Sequence, residues 1–133
     1  MTIQKTHKIS AHALYINYLE VILKISRDDV TKIFNKYPLC LIHYIEKNKH
    51  EFITEIRFDE DEITISCVFN ADGQCTSASL FPDNNQVIEE LVCYINILHP
   101  FDYIKNRWTT SHYYIKVKEL ECDENYLCLF FYH

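Results

Sequence analysis

A single glycine, Gly73, and three prolines serve 133 residues, and that scarcity excludes more than any motif includes. The P-loop and the dinucleotide fingerprint both place several glycines where backbone approaches a phosphate. Nucleotide-cofactor chemistry of those kinds is therefore excluded. A nucleophile elbow also needs glycine around its strained turn, and there is none to spare. No flexible linker can be found in such a chain, so its 16.0 kDa are expected to form one domain over residues 1–133. Turns must rely on Asn and Asp, which tolerate the left-handed region best after glycine.

Long hydrophobic runs are missing too. Leu39 to Ile45 contains His43 and is bounded by Lys36 and Glu46, far short of the roughly 18 to 20 apolar residues of a spanning helix. The start carries Lys5 and Lys8, but His12, Asn17 and Glu20 interrupt the next stretch, so no secretion signal is read. A soluble, cytoplasmic protein without membrane contact is the expectation, with its six cysteines as reduced thiols. Positive charge is in deficit: thirteen Lys and Arg stand against nineteen Asp and Glu, for a net charge of −6. Phosphate neutralisation needs a basic face, so nucleic-acid binding is disfavoured.

What the chain does have is aromatic and aliphatic mass, with ten Tyr and eight Phe among 48% hydrophobic residues. That can supply the burial that offsets chain entropy. Ala11, Leu14, Tyr15, Tyr18, Leu19, Ile22 and Ile25 recur at helical spacing behind Ser10 as a plausible N-cap. Ser26 and Asp29 resemble a capping box for a second, shorter helix through Val30, Ile33, Phe34 and Tyr37, which Pro38 stops. Together these predict an N-terminal helical hairpin.

Requiring that paired apolar residues share a face yields three strand registers. Phe58 opposite Ile63 also aligns Ile56 with Ile65, Thr54 with Cys67 and Phe52 with Phe69. A type I′ turn at Asp72-Gly73 sets Phe69 beside Thr76, Cys67 beside Ala78 and Ile65 beside Leu80, sending Cys67 and Cys75 to opposite faces. A turn at Asn48-Lys49 aligns Ile45 with Phe52 and Leu41 with Ile56. Asp83-Asn84-Asn85 caps a helix whose stripe is Val87, Ile88, Leu91, Val92, Ile95 and Leu98, ended by His99-Pro100. Phe101 to Trp108 is read as one more helical turn. The segment from Tyr113 to Val117 alternates as a half-exposed strand, Asp123-Glu124 turns the chain, and Tyr126 to Tyr132 is apolar on both faces, as for a strand covered on each side. The predicted fold class is α+β: a helical hairpin, an antiparallel β-meander, one further long helix and a C-terminal β-hairpin.

Four consecutive carboxylates, Asp59, Glu60, Asp61 and Glu62, fall on a hairpin tip of this plan. Such a block suits a basic partner, because opposite surface charge raises association rates and suppresses wrong partners. It equally fits a solvated turn that keeps the chain soluble. Asp123 and Glu124 would form a second acidic turn. Tyrosine is an economical interface anchor, and Tyr103, in an irregular segment, and Tyr114, on the polar face of its strand, are the two expected outside. Cys122 and Cys128 have no close ligand pair, so zinc would need distant partners. Neither a metal nor another cofactor is expected. Cys40 with His43, and His99 with Asp102, are the neighbours that invite a catalytic reading, but neither has a third orienting group.

Small size, acidity, poverty of motifs and the α+β plan, with Ser66-Cys67-Val68-Phe69 before the Asp72-Gly73 turn and Leu80-Phe81-Pro82-Asp83 after it, give a chain that resembles the bacterial immunity proteins paired with secreted or contact-delivered toxins. The resemblance implies a non-catalytic inhibitor, monomeric or weakly dimeric, that binds one cognate toxin domain, often a basic nuclease. Asp59 to Glu62 would then stand in for substrate phosphates. Two other readings stay open. A secretion chaperone would be a homodimer holding an effector segment in an apolar groove, and a small hydrolase would use Cys40 and His43.

Overall fold

The computed structural model describes residues 2–120 and 123–133, with side chains for 12–120 and 125–133. Its elements are α1 (Thr2–Ile22), α2 (Arg27–Ile33), β1 (Leu39–Glu46), β2 (Lys49–Phe58), β3 (Ile63–Phe69), β4 (Cys75–Pro82), α3 (Asn85–Leu98), β5 (Phe101–Asp102), β6 (Arg107–Thr109), β7 (Tyr114–Leu120) and β8 (Asp123–Tyr132). All eight strands belong to one antiparallel sheet in the order β1-β2-β3-β4-β8-β7-β6-β5. Helices α1 and α3 pack against each other and lie over its centre. Period-two alternation turns Ile56, Ile65, Phe69, Leu80, Ile115, Leu129 and Phe131 toward them, and these meet Ile16, Leu19, Ile22, Ile88, Leu91 and Ile95 in one buried core. A hydrogen bond of 2.7 Å from His12 to Glu90 ties the two helices at their edge. Among the described residues no helix is long and apolar enough to cross a membrane.

This architecture overturns the expected plan of helical hairpin, meander and separate C-terminal hairpin. No glycine or proline precedes Pro38, so nothing stops α1 from extending back to Thr2, and Ser10 lies inside it rather than capping it. Among its described side chains Ala13, Tyr15, Ile16, Leu19 and Ile22 are buried, as is Leu23 just after it, whereas Leu14 is exposed. The helix α2 is capped by Ser26, whose hydroxyl accepts from the Asp29 N–H at 3.2 Å. It is only seven residues long, and Ser26 bridges to Gln74 at the sheet. It buries Val30 and leaves Ile33 exposed, so it supplies a plug at the sheet's side and not the second arm of a hairpin.

The C-terminal pair is likewise no appendage. A strand apolar on both faces needs a neighbour on each edge, and β8 has β4 and β7. Its second face is covered by cationic side chains instead of a helix: the Lys118 ammonium sits 3.7 Å from the Phe130 ring centroid and the Arg107 guanidinium 3.7 Å from that of neighbouring Tyr114. Phe101 to Trp108 is a β-hairpin and not a helical turn. Asp102 accepts from the Ile104 and Lys105 N–H groups, Asn106 takes φ 56°, and buried Trp108 donates to Asn96 on α3 at 2.7 Å. That last contact is tertiary and overrides the local pattern. Asp123 opens β8 opposite Leu120, so it is strand and not turn; Glu121 and Cys122 lie outside the described residues.

Of the three registers, Phe58 with Ile63 holds throughout β2 and β3. The first hairpin turns at Lys47-Asn48, both left-handed at φ 51° and 65°, the geometry of a two-residue type I′ turn. Ile45 therefore meets His50 and Leu41 meets Thr54, two residues from the expected pairing. At Asp72-Gly73 only Gly73 is left-handed, φ 81°, and the loop closes through Gly73 N–H to Asn70 O at 3.0 Å, so it is not type I′. A bulge beside Val68 and Phe69 then pairs Phe69 with Cys75. Cys75 is thereby turned inward to share the core with Cys67, contrary to the opposite-face expectation. Burial pushes both thiols up, Cys75 to about 12. Cys40, Cys67, Cys75, Cys93 and Cys128 are free thiols.

Leu129, fully buried where β8 meets β4, tests the joined sheet. Leu129→Ala is expected to cost about 2–5 kcal/mol in denaturant unfolding with a single transition. Two transitions, one for each half of the sheet, would contradict a single cooperative core.

Candidate functional site

The turn after β2 carries the acidic block, and ring packing fixes where it sits. Phe58, the residue before it, is a hub: Tyr37 lies 4.6 Å away between centroids, Tyr15 5.1 Å edge-on, Tyr18 5.6 Å stacked and Phe34 6.2 Å edge-on. Such contacts each add about 0.5–1.5 kcal/mol beyond area burial. They draw together α1, the α2–β1 connection and the hairpin tip. Glu62 closes the turn in the left-handed region at φ 54°, and its N–H donates to the Asp59 carbonyl at 3.3 Å.

The four carboxylates are not equivalent. The Tyr15 hydroxyl donates to Asp61 Oδ2, pinning the tip to α1. Arg57 donates from Nε to Asp59 at 3.3 Å and from its two terminal nitrogens to both oxygens of Asp83 at 3.2 and 3.0 Å, with Thr64 also accepting at 3.0 Å. Glu60 and Glu62 are exposed and take no partner among the described residues. The tip and Asp83 together bring five carboxylates, against two cations, Arg57 and Lys36, among the described residues that line the cleft beside the tip, so negative charge is in excess there. The Arg57 guanidinium holds the Asp83 carboxyl below the usual carboxylate range, and Asp83 in turn raises Arg57. Burial, then the bond to Asp61, push the Tyr15 hydroxyl well up; burial, then a hydrogen bond to Tyr37, raise Tyr18. Both phenols stay neutral.

Between tip, α1 and the Lys36–Pro38 segment lies a cleft of about 470 Å³, walled by Tyr15, Tyr18, Tyr37 and Phe58 and rimmed by Asp59, Glu60 and Asp61. Aromatic faces with carboxylates above them are a receptor for a cationic side chain.

The other residues expected at a site lie elsewhere. Tyr103 is 87% exposed on the β5–β6 turn, next to Ile104 at 95%. Tyr114 is half-buried on the open face of the sheet, tilted against Tyr132 at 5.5 Å between centroids beneath Arg107. The side chains of Asp123 and Glu124 lie outside the described residues. Cys40 stands opposite Glu55 and His43 opposite Phe52, so the two point to opposite faces of β1 and do not meet. Asp102 spends its carboxylate on its own turn, and His99 is the C-cap of α3. Sequence reasoning missed Tyr15, Tyr18, Tyr37, Arg57 and Asp83 as parts of the acidic site. Only Arg57 beside Thr64 had a local signal, through the strand register; the Tyr15–Asp61 contact spans 46 positions. No protein-family model matches the chain, and neither a curated protein nor a solved structure matches it.

Linkage gives the site a signature at each end of the pH scale. Tyr15 has its hydroxyl raised from the ordinary 10.0, so its contribution is present below that value and lost as pH rises above it. Tyr15→Phe should cost about 0.5–1.5 kcal/mol at neutral pH and flatten the alkaline loss of stability measured by urea titration. Asp83 is depressed from 3.8, so its contribution is lost as pH falls below that range, and Asp83→Asn should blunt the acid limb. Unchanged limbs in the two variants would show that these pairs do not carry the pH dependence.

Proposed function

We propose that the chain is a non-catalytic immunity-type protein that neutralises one cognate toxin domain in the cytoplasm, and that the acidic cleft takes up a basic cluster of that toxin. The supporting observation is the division of labour among the carboxylates: Asp61 and Asp59 are held by Tyr15 and Arg57, while Glu60 at the rim and Glu62 at the end of the turn have exposed carboxylates without a partner among the described residues. Fixed carboxylates lower the ordering cost of binding, and free ones supply long-range attraction in a chain of net charge −6. A basic nuclease suits this surface, since residues that hold substrate phosphates would accept carboxylates in their place. Tyr18 and Tyr37 offer flat area for the stem of an incoming Lys or Arg.

The test begins with co-expression of the tagged protein and its genomic neighbours, then pull-down and mass spectrometry. A one-to-one complex with a basic toxin-like domain is the expected result. The variant Asp59→Asn, Glu60→Gln, Glu62→Gln, which spares Asp61, should melt like the wild type yet associate about tenfold more slowly or worse at low salt, with a flatter salt dependence. Association unchanged in rate and salt dependence would take the tip out of the interface. Recovery of an unfolded effector segment would overturn the immunity reading in favour of a chaperone.

A further inference from the structure

The two edges of the sheet are treated differently. At one end β5 is two residues long, too short to recruit another strand. At the other, β1 presents eight residues, of which only Leu39 is partly covered, with Leu41 64% and Ile45 57% exposed on the helix side and Ile42 and Tyr44 exposed on the other. Natural edges are protected by charged side chains, proline, bulges or brevity, and from Leu39 to Ile45 β1 has none of these. A groove of about 490 Å³ runs along its helix side, with Phe52 and Thr54 among its walls, and the Thr54 hydroxyl there is buried without a partner.

We infer that β1 pairs antiparallel with β1 of a second copy, about a twofold axis perpendicular to the sheet through His43. The backbone limits the possible registers and the side chains choose among them. The two-residue turn at Lys47-Asn48 closes on Glu46 opposite Lys49, a pair that exchanges hydrogen bonds. The bonding residues then alternate, so the backbone groups of Leu41, His43 and Ile45 point outward. A perpendicular twofold must also join residues of the same face. Centred on His43, it sets Leu41 against Ile45 of the second copy and Ile42 against Tyr44, so that every exposed apolar side chain of the strand meets another. Centred on Ile42 it would oppose Leu41 to a histidine and Tyr44 to Cys40, and centred on Tyr44 it would oppose Ile42 to Glu46. Backbone and face are satisfied by a twofold centred on any residue of the strand; the apolar pairing selects the one centred on His43, and in it each Ile45 comes down beside Leu41 at the mouth of the groove. The acidic tip is not part of this contact, so the inference stands or falls separately from the proposed function.

Sedimentation of the purified chain without any partner should show a concentration-dependent dimer. Leu41→Lys with Ile45→Lys should weaken it about a hundredfold or more, because each copy would bury unpaired charge, while at concentrations where both proteins are monomeric the variant melts close to wild type. Register is read by cross-linking in a background of Cys40→Ser, Cys93→Ser and Cys122→Ser. His43→Cys is expected to give an oxidised disulfide-linked dimer and Ile42→Cys none, since only the former brings like residues face to face. A monomer at all concentrations would overturn the inference, as would a dimer unaffected by the lysine pair or one cross-linked by Ile42→Cys but not by His43→Cys.

Discussion

Four residue pairs, Ser77 to Leu80 against Tyr132 to Leu129, hold the molecule together. They join β1–β4 to β5–β8 in one sheet, and everything above the sheet depends on that seam. Helix α3 connects the halves in sequence and packs on β4 and β8 on both sides of the seam. Asn85 at its start accepts from the Leu127 N–H at 3.0 Å and donates to the Asn125 carbonyl, while the Tyr126 hydroxyl donates to the Pro82 carbonyl. The helix, the end of β4 and the start of β8 are thus fastened by polar contacts where the hydrophobic layer thins. Such contacts contribute little individually beyond about 1 kcal/mol, but they set the angle at which α3 and then α1 lie on the core.

That placement of α1 is what turns an acidic hairpin tip into a shaped site. A tip alone would be a solvated turn. With α1 across it, Tyr15 reaches Asp61, the ring cluster around Phe58 closes beneath, and charge is presented over an aromatic wall. The opposite face of the sheet has no helix over β7 and β8, and its aromatic rings lie under cations instead, with Arg107 over Tyr114 and Lys118 over Phe130.

The candidate site was partly visible in the chain. The block Asp59 to Glu62 and the register that puts it on a tip are local facts, since Phe58 opposite Ile63 is the pairing that alternation demands. Its partners were hidden because Tyr15 and Asp83 come from elements that meet the tip only after the sheet is covered. The first hairpin shows a subtler limit. Moving its turn from Asn48-Lys49 to Lys47-Asn48 shifts the pairing by two residues and keeps every side chain on its face, so apolar patterning cannot distinguish the two. Strand twist favours a two-residue turn in either place, and the folded backbone puts the left-handed pair at Lys47 and Asn48. At Asp72-Gly73 the bulge shifts pairing by one, and there the cost of the error is a cysteine assigned to the wrong face.

By itself the sequence determined the strands β1 to β4, the capped helices α2 and α3 and the position of the acidic turn, because each is written in spacing and caps that act within a few residues. Only the tertiary structure decided that β8 lies beside β4, that Phe101 to Trp108 is a hairpin, that α1 and α2 are not partners, and that Tyr15 and Arg57 organise the carboxylates. Those choices turn on which apolar faces exclude water together across dozens of residues, and hydrophobic burial is non-directional. A strand's pattern states that it must be covered, and the whole fold decides by what.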